Sequence, residues 1–289
     1  MNQIELVALP DDQLTAYIAG GRTRHNDLSV PHFSQVLTVA RAGRGPSWRL
    51  AKGAAAALAA LQLDLEAQGA EAVRLSDAFR QPDGQQAVAR AGYEAWLAAG
   101  LPKPSDTLRW RADMKTAYVA RPGESNHGWG GSKDIDVGAL VFPGVRRGSD
   151  EALDEYWTVA RRHGWTPIIA EPDVTMAECW HFDHLGPLAD VRKLYLDAGY
   201  RRPAAYVARV GCALAGTLPS TVATRDSAYV QARLLIAGHF AGVVDGQVGP
   251  KTREAMKAAG LAVTAKTSVP QMVVLLNEAG TGVAQIEQL

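Results

Sequence analysis

Cysteine is scarce: Cys179 and Cys212 are the only two in 289 residues. That rules out a disulfide scaffold, which needs a spaced framework of bridges. The pair reads as two free or buried thiols, although two distant cysteines can still meet in space. Charge of one sign is also lacking, since 30 Lys and Arg balance 30 Asp and Glu. Nucleic-acid binders usually carry a basic excess, so none is expected as a partner. There is no long hydrophobic run. The most apolar late stretch, Val210 to Leu218, falls far short of the roughly 20 residues a membrane helix needs, and no membrane insertion is expected. Met1 to Gly20 lacks a basic head followed by an apolar run, so no Sec-type signal is read there. The expectation is a chain made in the cytoplasm. Its apolar fraction of 47% is ordinary for a globular protein with a real core.

Residues 1–45 carry short apolar pieces broken by Gly20-Gly21 and Gly43, and no role is assigned to them. Trp48 to Gln68 is rich in alanine and leucine, with Leu50, Leu58, Leu61 and Leu65 near helical spacing. Val73 to Phe79 suits a short strand. Asp83 can cap a helix that ends before Gly100. Ala117 to Val119, Ile135 to Phe142 and Pro167 to Ala170 are strand candidates. Ser149 or Asp150 can start a helix whose last turn, Arg161-Arg162-His163 before Gly164, carries the cations and glycine of a helix end. Pro187 to Ala198 reads as a further helix. After Gly211 the composition loosens into a linker, placed at 213–226. Three short helices follow, at Ser227 to Ala237, Pro250 to Ala259 and about Val269 to Glu278; Pro250 suits a first helical turn. The division expected is an unassigned segment at 1–45, a main domain at 46–212 and a separable helical domain at 227–289. The fold class is α+β, with helices around a small antiparallel sheet.

Two clusters carry the chemistry: Ser125-Asn126-His127-Gly128-Trp129-Gly130-Gly131-Ser132-Lys133-Asp134, and Glu178-Cys179-Trp180-His181-Phe182-Asp183-His184. Zinc hydrolases hold their metal on three His or carboxylate ligands and keep one position open. His127, Asp134 and His181 can supply such a set, because the intervening glycines let the chain reverse. Glu178 can then act as an unligated base. The residues alone leave choices open. Asp136 shares a strand face with Asp134 if the strand runs through both, and His184 can replace His181.

The first cluster resembles the Ser-x-His-x-x-Gly-x-(Ala/Ser)-x-Asp motif of a zinc peptidase family. That family comprises D-alanyl-D-alanine carboxypeptidases, D-Ala-D-Ala dipeptidases and phage L-alanyl-D-glutamate endolysins. The second cluster resembles the family's Glu-x-Trp-His motif, and the order and separation of the two also match. The resemblance spans roughly Trp48 to Tyr200. It implies one Zn2+ per chain on His127, Asp134 and His181, with Glu178 as general base. Ser132 stands where alanine is commoner, and Cys179 where proline or another small residue often sits. Ser76-Asp77-Ala78-Phe79-Arg80 with Gln85 is similar to the family's aromatic–Arg–x4–Gln segment, which implies that Arg80 stabilises the oxyanion of the tetrahedral intermediate. Gln85, Ser125, Trp180 and His184 are the candidate supporting or substrate-binding residues. Trp129 reads as core, and His25, His32, His163 and His239 as ordinary.

The tail, with Val230 to Leu235 and then Gly242-Val243-Val244-Asp245-Gly246-Gln247-Val248-Gly249-Pro250-Lys251-Thr252, resembles a three-helix peptidoglycan-binding module and its Asp-Gly-x-x-Gly-Pro-x-Thr turn. Asp245, Gly246 and Gly249 are its marker residues. The expected activity is therefore hydrolysis of an amide bond in peptidoglycan stem peptides. A wall-binding tail without a signal favours an endolysin-type endopeptidase released by a holin. A D,D-carboxypeptidase and a wall-binding protein without turnover are the alternatives.

Overall fold

The computed structural model describes residues 48–80, 120, 123–200, 203–218, 225–239, 242–286 and 288–289. It also describes isolated positions between 84 and 98, and the backbone of 4–8 and 37–41. The strand expected at Ala117 to Val119, most of the helix expected after Asp83, His25 and His32 lie outside the described residues.

The fold is mixed α and β, and its centre is a small antiparallel sheet. Strands β1 (Ile4–Ala8), β2 (Leu37–Arg41) and β3 (Trp48–Leu50) form a separate antiparallel trio, with Leu6 opposite Val39 and Leu37 opposite Leu50. The sequence alone carries no clear strand signal for the first two. Helix α1 (Lys52–Ala67) buries Ala54, Leu58, Leu61 and Leu65, which fall on one face at helical spacing. Trp48 to Leu50 pairs as a strand instead of starting that helix. Four strands make the central sheet: β4 (Leu75–Asp77), β5 (Ser132–Ile135), β6 (Trp165–Pro167) and β7 (His181–His184), in the order β4-β5-β7-β6. The strand expected over Ile135 to Phe142 is displaced. Pairing ends at Ile135, and Val137–Ala139 form a 3-10 turn.

Helix α2 (Asp150–Arg162) starts where the sequence placed it. Ser149 Oγ accepts from the Ala152 amide, and Asp150 and Glu151 fill its first turn. Helix α3 is Leu188–Asp197, and α4 is Ala204–Leu214. The linker expected after Gly211 is not what its described residues form. Helix α4 runs through Gly211, Ala215 and Leu218 are buried, and the Thr217 hydroxyl donates to Gly128 O. Composition misled here because small and polar residues serve close packing as well as loops.

Helices α5 (Arg225–Ile236), α6 (Pro250–Ala258), α7 (Val269–Glu278) and the short α8 (Val283–Ile286) complete the chain. They share one buried apolar cluster with α1, the sheet and α4. Polar ties cross the same boundary. Arg209 Nε donates to Val244 O, Tyr195 Oη to Gly242 O at 3.2 Å, and Gly53 N to Leu289 O at 2.8 Å. No helix among the described residues is long and apolar enough to cross a membrane. Cys179 and Cys212 are both free and buried; burial pushes the Cys212 thiol up to about 12.

Candidate metal centre

Side chains alternate across a strand, and the register of the central sheet uses this twice. Asp134 on β5 lies opposite His181 on β7, and Ser132 lies opposite Asp183. All four side chains fall on one face. The other face receives Lys133, Phe182 and His184, which join Trp165 and Tyr156 in the core.

His127 enters from the 3-10 turn Asn126–Trp129, between β4 and β5. Ser125 caps that turn, its Oγ accepting from the His127 amide at 3.3 Å. Gly130 ends it with φ +83°, in the left-handed region that favours glycine. Trp129 is core, as expected. Its ring lies so close to Gly131 and to Gly211 of α4 that a Cβ at either position would sit within 2.6 Å of it.

The His127, Asp134 and His181 donor atoms all lie within 4.8 Å of one another. Asp134 Oδ1 is 2.9 Å from His181 Nδ1 and 3.4 Å from His127 Nε2. His127 Nε2 is 3.2 Å from His181 Nδ1. The three side chains are 4%, 13% and 12% exposed, in chain order. The outer nitrogen of each imidazole is occupied. His127 Nδ1 donates to Ala78 O at 2.5 Å, and His181 Nε2 meets Asp183 Oδ1 at 2.9 Å. A carbonyl can only accept, so His127 Nε2 is left with its lone pair facing the cluster. Asp183 does the same for His181 Nδ1 and is itself held by Ser132 Oγ at 2.5 Å. Ligating histidines are commonly oriented in this way. Two nitrogens and one carboxylate, each turned inward, fit a single divalent ion.

Burial works against charge here, and the neighbours overrule it. Burial would raise the Asp134 pKa, but the adjoining imidazoles of His127 and His181 hold it well below the usual carboxylate range. Burial would lower that of His181, yet Asp183 and Asp134 bring it up to about 10. Such a site could hold a metal cation in place of a proton, and metal binding would then release that proton.

A cleft of about 470 Å³ opens over the cluster. Its walls include Arg80, Gln85, Glu178, Trp180 and Ile168. Glu178 is the one non-glycine residue with positive φ among the described residues, at +68°. Backbone strain of this kind concentrates at functional sites. Burial raises its pKa and Asp134 adds to this, while His181, His127 and Arg80 pull it back. Arg80 is gripped from two sides. Its Nη1 donates to Gln85 Oε1 at 2.7 Å, and its Nε and Nη2 donate to Asp77 Oδ2. Gln85 is buried and passes its own amide to Ala120 O.

Two readings of the sequence are corrected. Asp136 is exposed beyond the strand end and stands outside the cluster. His184 points to the opposite face, beside Trp165 and Lys133, and gives no support to the metal ligands. Asp183 takes the supporting place instead. The i, i+2 spacing from His181 on a strand was the signal that could have found it. In the tail, Asp245 and Gly246 are spent on the turn itself. Asp245 Oδ1 accepts from Gln231 Nε2 and the Gln247 amide, and the Gly246 amide donates to Gln231 Oε1. Gly249 precedes α6 with φ −101°, and a Cβ there would meet open space. Compared with protein-family models, with curated proteins and with solved structures, the chain shows no match in any of the three.

Proposed function

We propose that this chain is a metal-dependent peptidase that hydrolyses an amide bond in peptidoglycan stem peptides, as an endolysin-type endopeptidase. Helices α5, α6 and α7 would form a three-helix region that docks it on the wall. The observation that carries this reading is the meeting of His127, Asp134 and His181 with Glu178 and Arg80 in one open cleft. The motif resemblances add the substrate class.

The mixed imidazole and carboxylate donors favour zinc, which when bound polarises a carbonyl and acidifies water. The chain's own residues do the rest. Glu178 receives the proton of the attacking water and hands it to the departing amine. Its raised pKa brings it nearer the operating pH, where a proton carrier works best. Arg80, fixed by Asp77 and Gln85, faces the negative charge that develops on the carbonyl oxygen. Asp183 and Ala78 O keep the two imidazoles in the required sense throughout.

Product analysis on isolated sacculi tests the reading. New N-terminal amines within the stem support the endopeptidase. Free D-alanine would instead indicate a D,D-carboxypeptidase. Binding without any product would reduce the chain to a wall-binding protein.

A further inference from the structure

We propose that Asp77 is a positioning residue, whose carboxylate aims the Arg80 guanidinium at a tetrahedral oxyanion in the metal cleft. The proposal rests on the reading of Arg80 given above.

Asp77 closes β4 and is paired with Asp134 in the sheet register. It is absent from the walls of the cleft, whereas Arg80 is one of them. Its two oxygens have separate tasks. Oδ1 accepts from the Ala78 amide at 2.7 Å, and it is the Ala78 carbonyl that fixes the His127 imidazole. Oδ2 accepts from both Nε and Nη2 of Arg80. The Arg80 amide in turn donates to His127 O at 2.9 Å. One carboxylate thus joins the cation to the turn that carries a metal ligand.

A guanidinium offers five N–H donors. Three of Arg80's are engaged, by Asp77 and Gln85. Among the described residues the remainder has no hydrogen-bond acceptor, so it can meet a ligand in a fixed direction. A flexible arginine would lose that direction to rotamer freedom. The arrangement has an electrostatic cost, because a carboxylate behind the cation weakens its pull on an anion. Aim and charge therefore predict opposite results for Asp77→Asn. If charge dominates, the variant binds an anion more tightly. If aim dominates, it binds more weakly. Asparagine suits the test because its carbonyl oxygen can still serve the Ala78 amide, while its NH2 cannot accept from Arg80.

The experiment uses the full chain loaded with Co2+ and titrated with inorganic phosphate as the tetrahedral probe. Binding is followed in the visible spectrum. Asp77→Asn and Arg80→Ala should each weaken phosphate binding about tenfold, the scale of one charge-assisted hydrogen bond. The double variant should be no weaker than Arg80→Ala alone, since residues acting through one group are not additive. The phosphate-free cobalt spectrum and metal stoichiometry should stay as in the wild type, and Asp77→Glu should recover part of the affinity. Additive losses, unchanged or tighter binding in Asp77→Asn, loss of cobalt, or no phosphate binding by the wild type would each overturn the proposal. If the phosphate results hold but no stem peptide is cut, the substrate reading fails and the positioning role stands.

Discussion

The central sheet and the C-terminal helices use polar side chains in opposite ways. Around the sheet, His127, Asp134, Glu178 and Arg80 converge on an open cleft, where His127, Asp134 and His181 could hold a metal ion. In the tail, polar groups close on one another. Arg233 is fully buried and donates to Tyr229 Oη, Asn277 Oδ1, Leu276 O and Thr281 O. Gln231 staples the turn at Asp245 to Gln247. Both regions carry motifs, but in one the motif lines an open cleft and in the other it faces inward to the fold. A recurring residue pattern does not by itself distinguish a contact with a ligand from a contact within the chain.

Five substitutions can break or sharpen this contrast. The largest effect belongs to His181→Ala, which should take zinc from about one per chain to nearly none and abolish turnover; metal analysis alongside activity reads both. Glu178→Gln should keep its zinc and lose about 10²–10⁴ in rate. Zinc loss there would make Glu178 a ligand, and near-normal turnover would move the base elsewhere, with Asp183 next to be tried. Arg233→Ala removes a buried cation from four acceptors and leaves a cavity, so it should cost about 3–5 kcal/mol in urea unfolding. Because α5 shares its core with α4, the same variant should also hold zinc less firmly when partly denatured. Full zinc retention above the unfolding midpoint would show that the two regions part independently.

The fourth test uses pH. Burial, then the charge of Lys133, lowers the His184 pKa from 6.5 to about 4. Above pH 6.5 the group is neutral in both states and its contribution is intact. Between 6.5 and about 4 the unfolded chain takes up a proton that the folded chain refuses, so stability falls, by about 3 kcal/mol in all. His184→Gln should flatten that part of the profile, which urea midpoints at two pH values would reveal. An unchanged slope would place the titration elsewhere. The smallest effect is expected at Gly249. With φ −101° and open space around a Cβ, Gly249→Ala should alter stability by no more than about 0.5 kcal/mol. If wall affinity drops while stability holds, at least one marker residue of the turn does face a ligand.

Much of the candidate site was legible because its spacing is local. Asn126 to Asp134 must reverse direction within a few residues, and the glycines there announce it. Glu178 and His181 are likewise close in sequence. What escaped depends on partners far along the chain. Ala78 O reaching His127 and Ser132 reaching Asp183 are tertiary contacts with no periodic signature. Helices with strong caps, such as α2, were placed within a residue. Strands of three or four residues were not, because their ends are set by pairing and not by propensity. The linker misreading at 213–218 has the same origin. Gly211 and Thr217 suit a loop by composition, yet they are needed where α4 meets Trp129 and Gly128.

The two imidazoles meet the cluster with different nitrogens, His127 through Nε2 and His181 through Nδ1. In a ¹⁵N spectrum they should therefore be mirror images. Before metal is added, His127 should show its bare nitrogen at the ε position. When metal binds, the nucleus that shifts should be ε in one ring and δ in the other. Loading with ¹¹³Cd would give each ring a scalar coupling to the metal through a different nitrogen, so one sample would identify both ligands without a diffraction experiment.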